Sequence, residues 1–320
     1  MNFCTHFDKN YIPYGLCLLD SLNECASDFT LHIICMDTHT HQYLKNCNKP
    51  NINLYLIDDL EKEINGLKAA KENRNKVEFF FTCSPAVCKY VLLKNPKISS
   101  ITYLDSDLYF FSSPSIIFDE IGDHSIAIIE HRFHWITKRQ NKYGKFNVGW
   151  VTFKNDVEGN KCLDNWLRDC LDWCYQKVEE ERFGDQKYLN KWPSLYKNLK
   201  IVQNVGANVA IWNIKNYKLS IINNKVFVNN TALVFYHFAN IYQIDNYRFN
   251  TNLSRVFMSL NSVLRDNIYM VYLKSLNKYS SVTPINYKKD KHAEGLKKHI
   301  VHVTRVLRSL LFNDIIDIRE

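Results

Sequence analysis

At 320 residues the chain is long enough for one large α/β domain or two smaller ones, with a sizeable core either way. Apolar residues make up 46% and charged residues 23%, the balance of a soluble globular protein, and with 9 Gly no glycine-rich phosphate loop of the Walker or dinucleotide kind can be drawn. The net charge of +8 is moderate, much of the excess lies in residues 288–308, and with no recognisable nucleic-acid module beside it, nucleic acid is not an expected partner.

The first 130 residues alternate strand and helix signals. "MNFCTHF" and "FTLHIICMD" read as buried strands. Between them Leu16, Cys17, Leu19 and Leu22 mark a helix face in "YIPYGLCLLDSLNEC". "INLYLI" is a third strand. "TCSPAVCKYVLLK" predicts a helix capped by Ser84, with Pro85 at its first position, where a missing N–H costs nothing. "SSITYL" then delivers Asp105 and Asp107. Strands alternating with helices predict a mostly parallel, doubly wound sheet, in which ligands bind beyond the carboxyl ends of the strands. Two carboxylates one residue apart at such an end repel unless a cation lies between them. The other reading of Asp105-Ser106-Asp107 is a strand-to-turn exit, where Asp and Ser supply turn hydrogen bonds.

Further along, "HSIAIIEHRF" and "KFNVGWVTFKND" are strands, the second interrupted by Gly149, where a glycine lets something approach the backbone. "VEGNKCLDNWLRDCLDWCYQKVEEE" predicts a long helix with the stripe Leu163, Trp166, Leu167, Cys170, Leu171 and Cys174. "FGDQKYLNKW" opens a short helix with Asp185 and Gln186 in its first turn, and "ALVFYHF" is a last buried strand ending in His237. From about residue 250 the pattern is helical. It ends in a basic segment whose apolar stripe, Leu296 to Leu311, is flanked by Lys297, Lys298, Arg305 and Arg308. This segment packs on the rest of the chain or lies on an anionic membrane surface. The ten cysteines contain no Cys-x-x-Cys and read as free buried thiols of a reducing cytoplasm. No signal peptide is evident and no apolar run approaches the ~20 residues of a membrane span, so a cytoplasmic location is expected, with peripheral contact at the inner membrane face through the basic helix.

The ordered set "YLDSDLYFF", "FNVGWVTFKND", "FGDQKYL" and "YHF" resembles the nucleotide-sugar-dependent glycosyltransferases of the GT-A fold. More narrowly, it is similar to the bacterial transferases of lipopolysaccharide and capsule synthesis, in a layout close to the family-8 retaining enzymes. The resemblance covers roughly residues 1–245. It implies a Rossmann-like, mostly parallel GT-A domain over 1–248 and a helical, basic C-terminal region over 249–320. It also implies sugar transfer from a nucleotide-diphosphate donor, a uridine diphosphate sugar favoured, to a saccharide or lipid-linked glycan acceptor. By the same resemblance, Asp105, Asp107 and His237 are the ligands of Mn²⁺ or Mg²⁺, and the imidazole leans the choice toward Mn²⁺. Thr5, Phe7, Asp8 and Tyr11 fall in the segment that cups the base, Lys89 on the helix that turns a basic residue to the diphosphate, and Ser106 near the ribose. Asn147, Asp185 and Gln186 match donor-sugar and reaction-face residues. Were the enzyme inverting, Asp185 or Glu130 would be the base. Asn208, Trp212 and Asn213 are expected near the sugar.

The family's glycine and Lys-Pro-Trp stretch after the late histidine is replaced here by "HFANIYQID", so a lysine for the diphosphate is absent there, and Arg248 or Lys89 is the expected substitute. Two alternatives share the fold: a metal-dependent sugar nucleotidyltransferase, whose glycine-rich basic first turn is missing, and a non-catalytic glycan- or nucleotide-binding protein.

Overall fold

The computed structural model describes residues 1–282 and 311–320. The first half alternates as the sequence predicts: β1 (Asn2–Phe7), α1 (Ile12–Cys25), β2 (Thr30–Cys35), α2 (Thr38–Cys47), β3 (Ile52–Leu56), α3 (Ile57–Glu63), α4 (Leu67–Asn73), α5 (Lys76–Lys94) and β4 (Ser100–Leu104). There follow β5 (Leu108–Phe110), α6 (Ser115–Ile121), β6 (Ile126–Glu130), β7 (Phe146–Lys154), α7 (Val157–Asp172), α8 (Trp192–Leu195) and β8 (Leu199–Val202). The remaining described elements are short. They are β9 (Val209–Ala210), β10 (Leu219–Ile222), β11 (Lys225–Val228), β12 (Thr231–Ala232), β13 (Phe235–His237), β14 (Tyr242–Gln243), β15 (Arg248–Asn250), α9 (Ser262–Leu264), α10 (Met270–Asn277) and β16 (Ile315–Asp317).

Seven strands form the central sheet in the order β3-β2-β1-β4-β7-β6-β8. β3, β2, β1 and β4 run parallel, as do β6 and β8, while β7 runs antiparallel to both its neighbours. Both faces are covered, which is why these strands read as continuous apolar runs rather than alternations. On one face α5 and α7 bury Val87, Val91, Trp166 and Cys170 against Ile101, Val151 and Phe153. On the other, α1 brings Leu16 and Leu19, and α6 brings Ile117, onto Phe3, Leu31 and Trp150. The far side of α1 is also buried: Tyr14 and Cys17 share a core with Tyr269, Tyr272 and Leu276. Each fully buried large side chain contributes about 1.5–3 kcal/mol relative to exposure.

Two features of this sheet place the site. The β6–β7 register shifts between Ile128, opposite Val151, and Ile129, opposite Asn147. Val148, Gly149 and Trp150 therefore bulge away from β6, a device that re-aims side chains. Beyond the end of β4, a second small sheet, β5-β13-β9, carries the chain over the strand ends.

Three expectations are corrected. The helix containing Ser84 begins eight residues earlier, at Lys76, and Pro85 lies inside it. The stronger start is Asn75, whose side chain accepts from the Val77 and Glu78 N–H groups while Glu78 reaches back to the Asn75 N–H. The long helix stops at Asp172, because Arg74 donates to the carbonyls of Cys170 at 2.8 Å and Leu171 at 2.6 Å and so satisfies its last turn. Cys174 nonetheless stays in the core from the following loop. Past residue 250 the described chain is helical only over 253–256 and 262–277, with a π-helical stretch at Arg265–Tyr269. Its end returns as β16, antiparallel to β15, whose first residue is Arg248. The basic segment from Leu296 to Leu311, with Lys297, Lys298, Arg305 and Arg308, lies outside the described residues up to its last position. Among the described residues no helix is long and apolar enough to cross a membrane.

Candidate active site

β4 ends at Leu104, and Asp105 turns out of the sheet with its N–H held by the Gly149 carbonyl at 3.3 Å. β5 leaves at once and pairs antiparallel with β13, Leu108 opposite His237. The Phe238 N–H donates to the Asp107 carbonyl at 3.0 Å, so the register of two short strands fixes the imidazole beside both carboxylates. His237 Nε2 lies 3.0 Å from Asp107 Oδ1 and 3.7 Å from Asp105 Oδ2, and one ligand atom from each residue falls within 4.8 Å of the others. Burial pushes the Asp105 carboxyl up, to about 6, with the like charge of Asp107 adding to it and His237 opposing. Burial alone would lower His237, but the Asp107 and Asp105 charges outweigh it and raise it. These three therefore favour a positive charge among them.

The donor set of two carboxylates and one imidazole fits a divalent cation, and the surroundings fit it too. His237 Nδ1 lies 3.3 Å from Asn147 Oδ1, an N–H···O arrangement that leaves the Nε2 lone pair toward the carboxylates. Asn147 Oδ1 also accepts from the Gly149 N–H at 3.0 Å, and its Nδ2 meets His131 Nε2 at 3.2 Å. His131 Nδ1 faces the Lys145 carbonyl at 3.1 Å, and burial pushes this imidazole down to about 3, so it is neutral and both its nitrogens have defined roles. A Cβ at Gly149 would stand 2.5 Å from Asn147 Oδ1 and 2.9 Å from His237 Nδ1, so a side chain there would displace this arrangement. The bulge in β7 and the glycine exist together at the point where His237 is oriented.

A cleft of about 940 Å³ opens beside the cluster. Its lining brings together Asp105, Ser106, Asp107 and His237, Asp185 and Gln186, Phe7, Asp8, Asn10, Tyr11 and Tyr14 from β1 and the start of α1, and Lys76, Phe80 and Phe81 of α5. Asp8 accepts from the Asn10 N–H at 3.0 Å and pairs with Lys76, while the Tyr11 and Tyr14 rings lie 4.9 Å apart. Burial pushes the Asp185 carboxyl up to about 7, against a hydrogen bond from Ser84, with the Asp105 charge adding to the rise. The Trp166 indole N–H donates to the Asp185 carbonyl at 2.9 Å, which locks that backbone to α7.

Several expected residues lie elsewhere. Lys89 faces α7 and pairs with Asp164 at 2.6 Å, because α5 turns this position away from the strand ends; Lys76, about three and a half turns earlier and so on the opposite face, is the lysine that lines the cleft. Arg248 pairs with Asp245 on an exposed edge at 2.6 Å. Thr5 is fully buried in β1. Glu130 pairs with Lys145 at 2.9 Å. Asn147 is buried with its amide engaged within the protein rather than lining the cleft. Asn208 donates to the Glu130 carbonyl at 3.3 Å, and Asn213 to the carbonyls of His131 at 2.8 Å and Asn208 at 2.9 Å. Both hold loops. Trp212 is buried edge-on against His237, with ring centroids 5.1 Å apart. Sequence reasoning missed His6, Asn10, Lys76, Phe80, Phe81 and Tyr103 in the cleft, and His131 behind it. The signal for the α5 residues was the Asn-x-x-Glu start at Asn75; a lone histidine such as His131 carries no signal of its own.

No protein-family model matches the chain. The chain is 30% identical over 281 residues to the Bacillus subtilis (strain 168) protein YfnD, covering 87% of this chain and 89% of YfnD. It is 32% identical over 245 residues to YfnF of the same organism, covering 74% of this chain and 80% of YfnF. Both relatives are named as uncharacterized proteins. Among solved structures, the galactosyltransferase LgtC, in complex with donor and acceptor sugar analogs, superposes with a TM-score of 0.56 at 11% identity over 88% of this chain and 100% of its own. At that identity the likeness establishes architecture. The chain belongs to the family of YfnD and YfnF, and its fold is the GT-A fold.

Proposed function

We propose that the chain is a divalent-metal-dependent glycosyltransferase that moves a sugar from a nucleotide-diphosphate donor to a saccharide of a cell-surface glycan. One observation carries this reading: Asp105, Asp107 and His237 converge in the lining of a cleft of about 940 Å³. Mn²⁺ or Mg²⁺ held there would fix the diphosphate and neutralise the negative charge that develops on it as it leaves. That LgtC, which shares the fold, was solved in complex with donor and acceptor sugar analogs supports a sugar donor and a saccharide acceptor as the substrate classes.

The chain's own residues divide the work. Tyr11 and Tyr14 offer apolar faces to a base, and Asp8 and Asn10 offer a carboxylate and an amide to its edge. Uridine is the base we favour. Ser106, which lines the cleft between the two aspartates, is our candidate for the ribose. Lys76 pairs with Asp8 and brings positive charge to that part of the cleft lining. Gln186 and Asp185 face the cleft where the sugar would be held. A carboxylate there stabilises positive charge developing on the sugar ring, and Gln186 holds hydroxyl groups. We favour retention of the anomeric configuration. Inversion would need a base on the acceptor hydroxyl, and Asp185, raised to about 7, is the cleft carboxylate suited to that role. The free thiols, most of them buried, support a reducing compartment.

The test is a panel of nucleotide sugars incubated with the protein and Mn²⁺, scored for hydrolysis and thermal shift, with product configuration read by proton NMR. Metal-dependent hydrolysis of one uridine diphosphate sugar, lost in Asp107→Ala, is the expected result. Hydrolysis that persists in Asp107→Ala, or is indifferent to a chelator, overturns the metal reading. No turnover or shift with any nucleotide sugar overturns the transferase.

A further inference from the structure

Between β6 and β7 the chain crosses the site through His131–Lys145, "HRFHWITKRQNKYGK", fifteen residues with five Lys or Arg and no Asp or Glu. The whole chain is far closer to balance, 41 basic against 33 acidic, whereas the charges of this crossing are of one sign. It is also held at both ends by the site. At its start the Arg132 guanidinium donates to the Asn204 carbonyl at 2.8 Å, and the His134 N–H and Thr137 hydroxyl donate to the Trp212 carbonyl at 3.0 and 2.7 Å. The Trp212 ring packs on His237. At its finish Gln186 Nε2 donates to the Tyr143 carbonyl at 3.2 Å and the Lys145 N–H to Asn190 Oδ1 at 2.8 Å. The two ends of the crossing are thus tied to Trp212, which packs on His237, and to Gln186, while its middle projects outside the lining of the cleft. It presents Trp135, 77% exposed, together with exposed Lys138, Arg139 and Lys142, none of which has a carboxylate partner among the described residues.

We infer that this crossing is the acceptor-binding surface and that the acceptor is an acidic saccharide, its ring seated on Trp135 and its carboxylate or phosphate groups met by Lys138, Arg139 and Lys142. The inference rests on the transferase reading of the cleft. The apolar C–H face of a sugar ring matches the face of an indole by dispersion, and a flat two-torsion side chain loses little entropy in binding. Guanidinium and ammonium groups on one short loop supply charge-assisted hydrogen bonds to carboxylate or phosphate. A membrane surface would call for several exposed apolar side chains on one face, and within this crossing Trp135 is the exposed one.

The test is equilibrium binding to the full chain, read by tryptophan fluorescence and thermophoresis. Tetragalacturonic acid is compared with its methyl ester, and phosphorylated maltotetraose with maltotetraose. One acidic oligomer is expected to bind roughly tenfold or more tightly than its neutral counterpart at low salt, with the margin narrowing as salt is added. Lys138→Gln, Arg139→Gln and Lys142→Gln together should erase that margin with the melting temperature unchanged, as for exposed substitutions. Trp135→Ala should weaken the acidic and neutral oligomers alike. Equal binding of acidic and neutral oligomers, or a margin that survives the triple substitution, overturns the inference. So does loop-dependent sedimentation with glycan-free phosphatidylglycerol vesicles, or loop-dependent binding of single-stranded DNA, in preference to the saccharides. The binding measurement needs no turnover, so its failure in a chain that hydrolyses a nucleotide sugar removes the acceptor assignment alone.

Discussion

The side chains that matter most are those whose environment contradicts their chemistry. Asn147 reads in sequence as a residue for the donor sugar, yet its amide joins His131, Gly149 and His237 in one buried chain of hydrogen bonds. Its role here is to aim the His237 lone pair, and groups of that kind typically set metal affinity by 10- to 100-fold. Asn147→Ala should therefore weaken Mn²⁺ binding by roughly that factor, and His131→Ala by less, since it acts one hydrogen bond further out. Electron paramagnetic resonance of free Mn²⁺ measures this without turnover, and an affinity equal to wild type would remove the positioning role. Asp185 shows the opposite tension. Its folded pKa is raised to about 7 from the ordinary 3.8, so the folded chain holds this proton more tightly than the unfolded chain. Stability is then lost as pH rises from about 4 to about 7, and the loss is constant above that. Asp185→Asn removes the titration. The stability of the variant relative to wild type should grow across that window by a few kcal/mol, on the order of 1.4 kcal/mol for each pH unit crossed. Thermal melts from pH 4 to 8 follow the gap, and a gap that does not widen would mean the carboxylate is not held protonated.

Elements were legible where the physics was local. Buried strands such as β1, β2, β4 and β13 are runs of β-branched and aromatic residues ended by polar ones, and the sequence located each of them. Helix ends were not legible where a distant group sets them. α7 stops at Asp172 because Arg74, some hundred positions earlier, takes up its terminal carbonyls, and no pattern in residues 157–181 announces that. Lys89 pairs with Asp164 of α7 while Lys76, Phe80 and Phe81 line the cleft, and with the expected helix beginning at Ser84 those three residues received no assignment from the sequence. Arg74 also donates to the Thr82 hydroxyl, and its guanidinium lies 5.3 Å from the Tyr175 ring, so one buried side chain ties α5 to α7 and to the loop leading to Asp185. Arg74→Ala leaves two helix-terminal carbonyls without a partner. It should cost about 2–3 kcal/mol, as for a hydrogen bond to a charged donor lost in the interior. Urea denaturation measures the loss, and a midpoint within error of wild type would show that the α7 terminus is satisfied in some other way.

Over the whole molecule the Asp105, Asp107 and His237 cluster, the cleft and the described residues past 248 form one mechanical unit, although the sequence resemblance implies a domain boundary at residue 248. That position begins β15, which pairs with β14 on one side and β16 on the other. Asp314, fully buried, accepts from Asn250 Nδ2 at 3.0 Å and the Ser254 N–H at 3.2 Å, so the last described residues fasten the start of this region. The coupling to the site runs through β13. Its residues alternate, so that His237 faces Asp105 and Asp107 while Tyr236 and Phe238 face the other way, into the α10 core. The Tyr236 hydroxyl meets the Tyr269 hydroxyl at 3.0 Å, and the Phe238 ring stacks on Tyr272 with centroids 3.8 Å apart. Removing residues 249–320 would expose both aromatic rings and the buried side of α1, Tyr14 and Cys17 included. At about 1.5–3 kcal/mol for each large side chain returned to water, the loss approaches the whole stability of a domain. A fragment of residues 1–248 should therefore show no cooperative melt and rapid proteolysis, with Mn²⁺ giving no thermal shift. A milder variant separates folding from function: Tyr272→Ala in the full chain removes the ring under Phe238 and should lower Mn²⁺ affinity as well as stability. Leu163→Ala, on the far face of the sheet, should lower stability alone. Equal Mn²⁺ affinity in both variants would show that β13 holds His237 in place without support from α10.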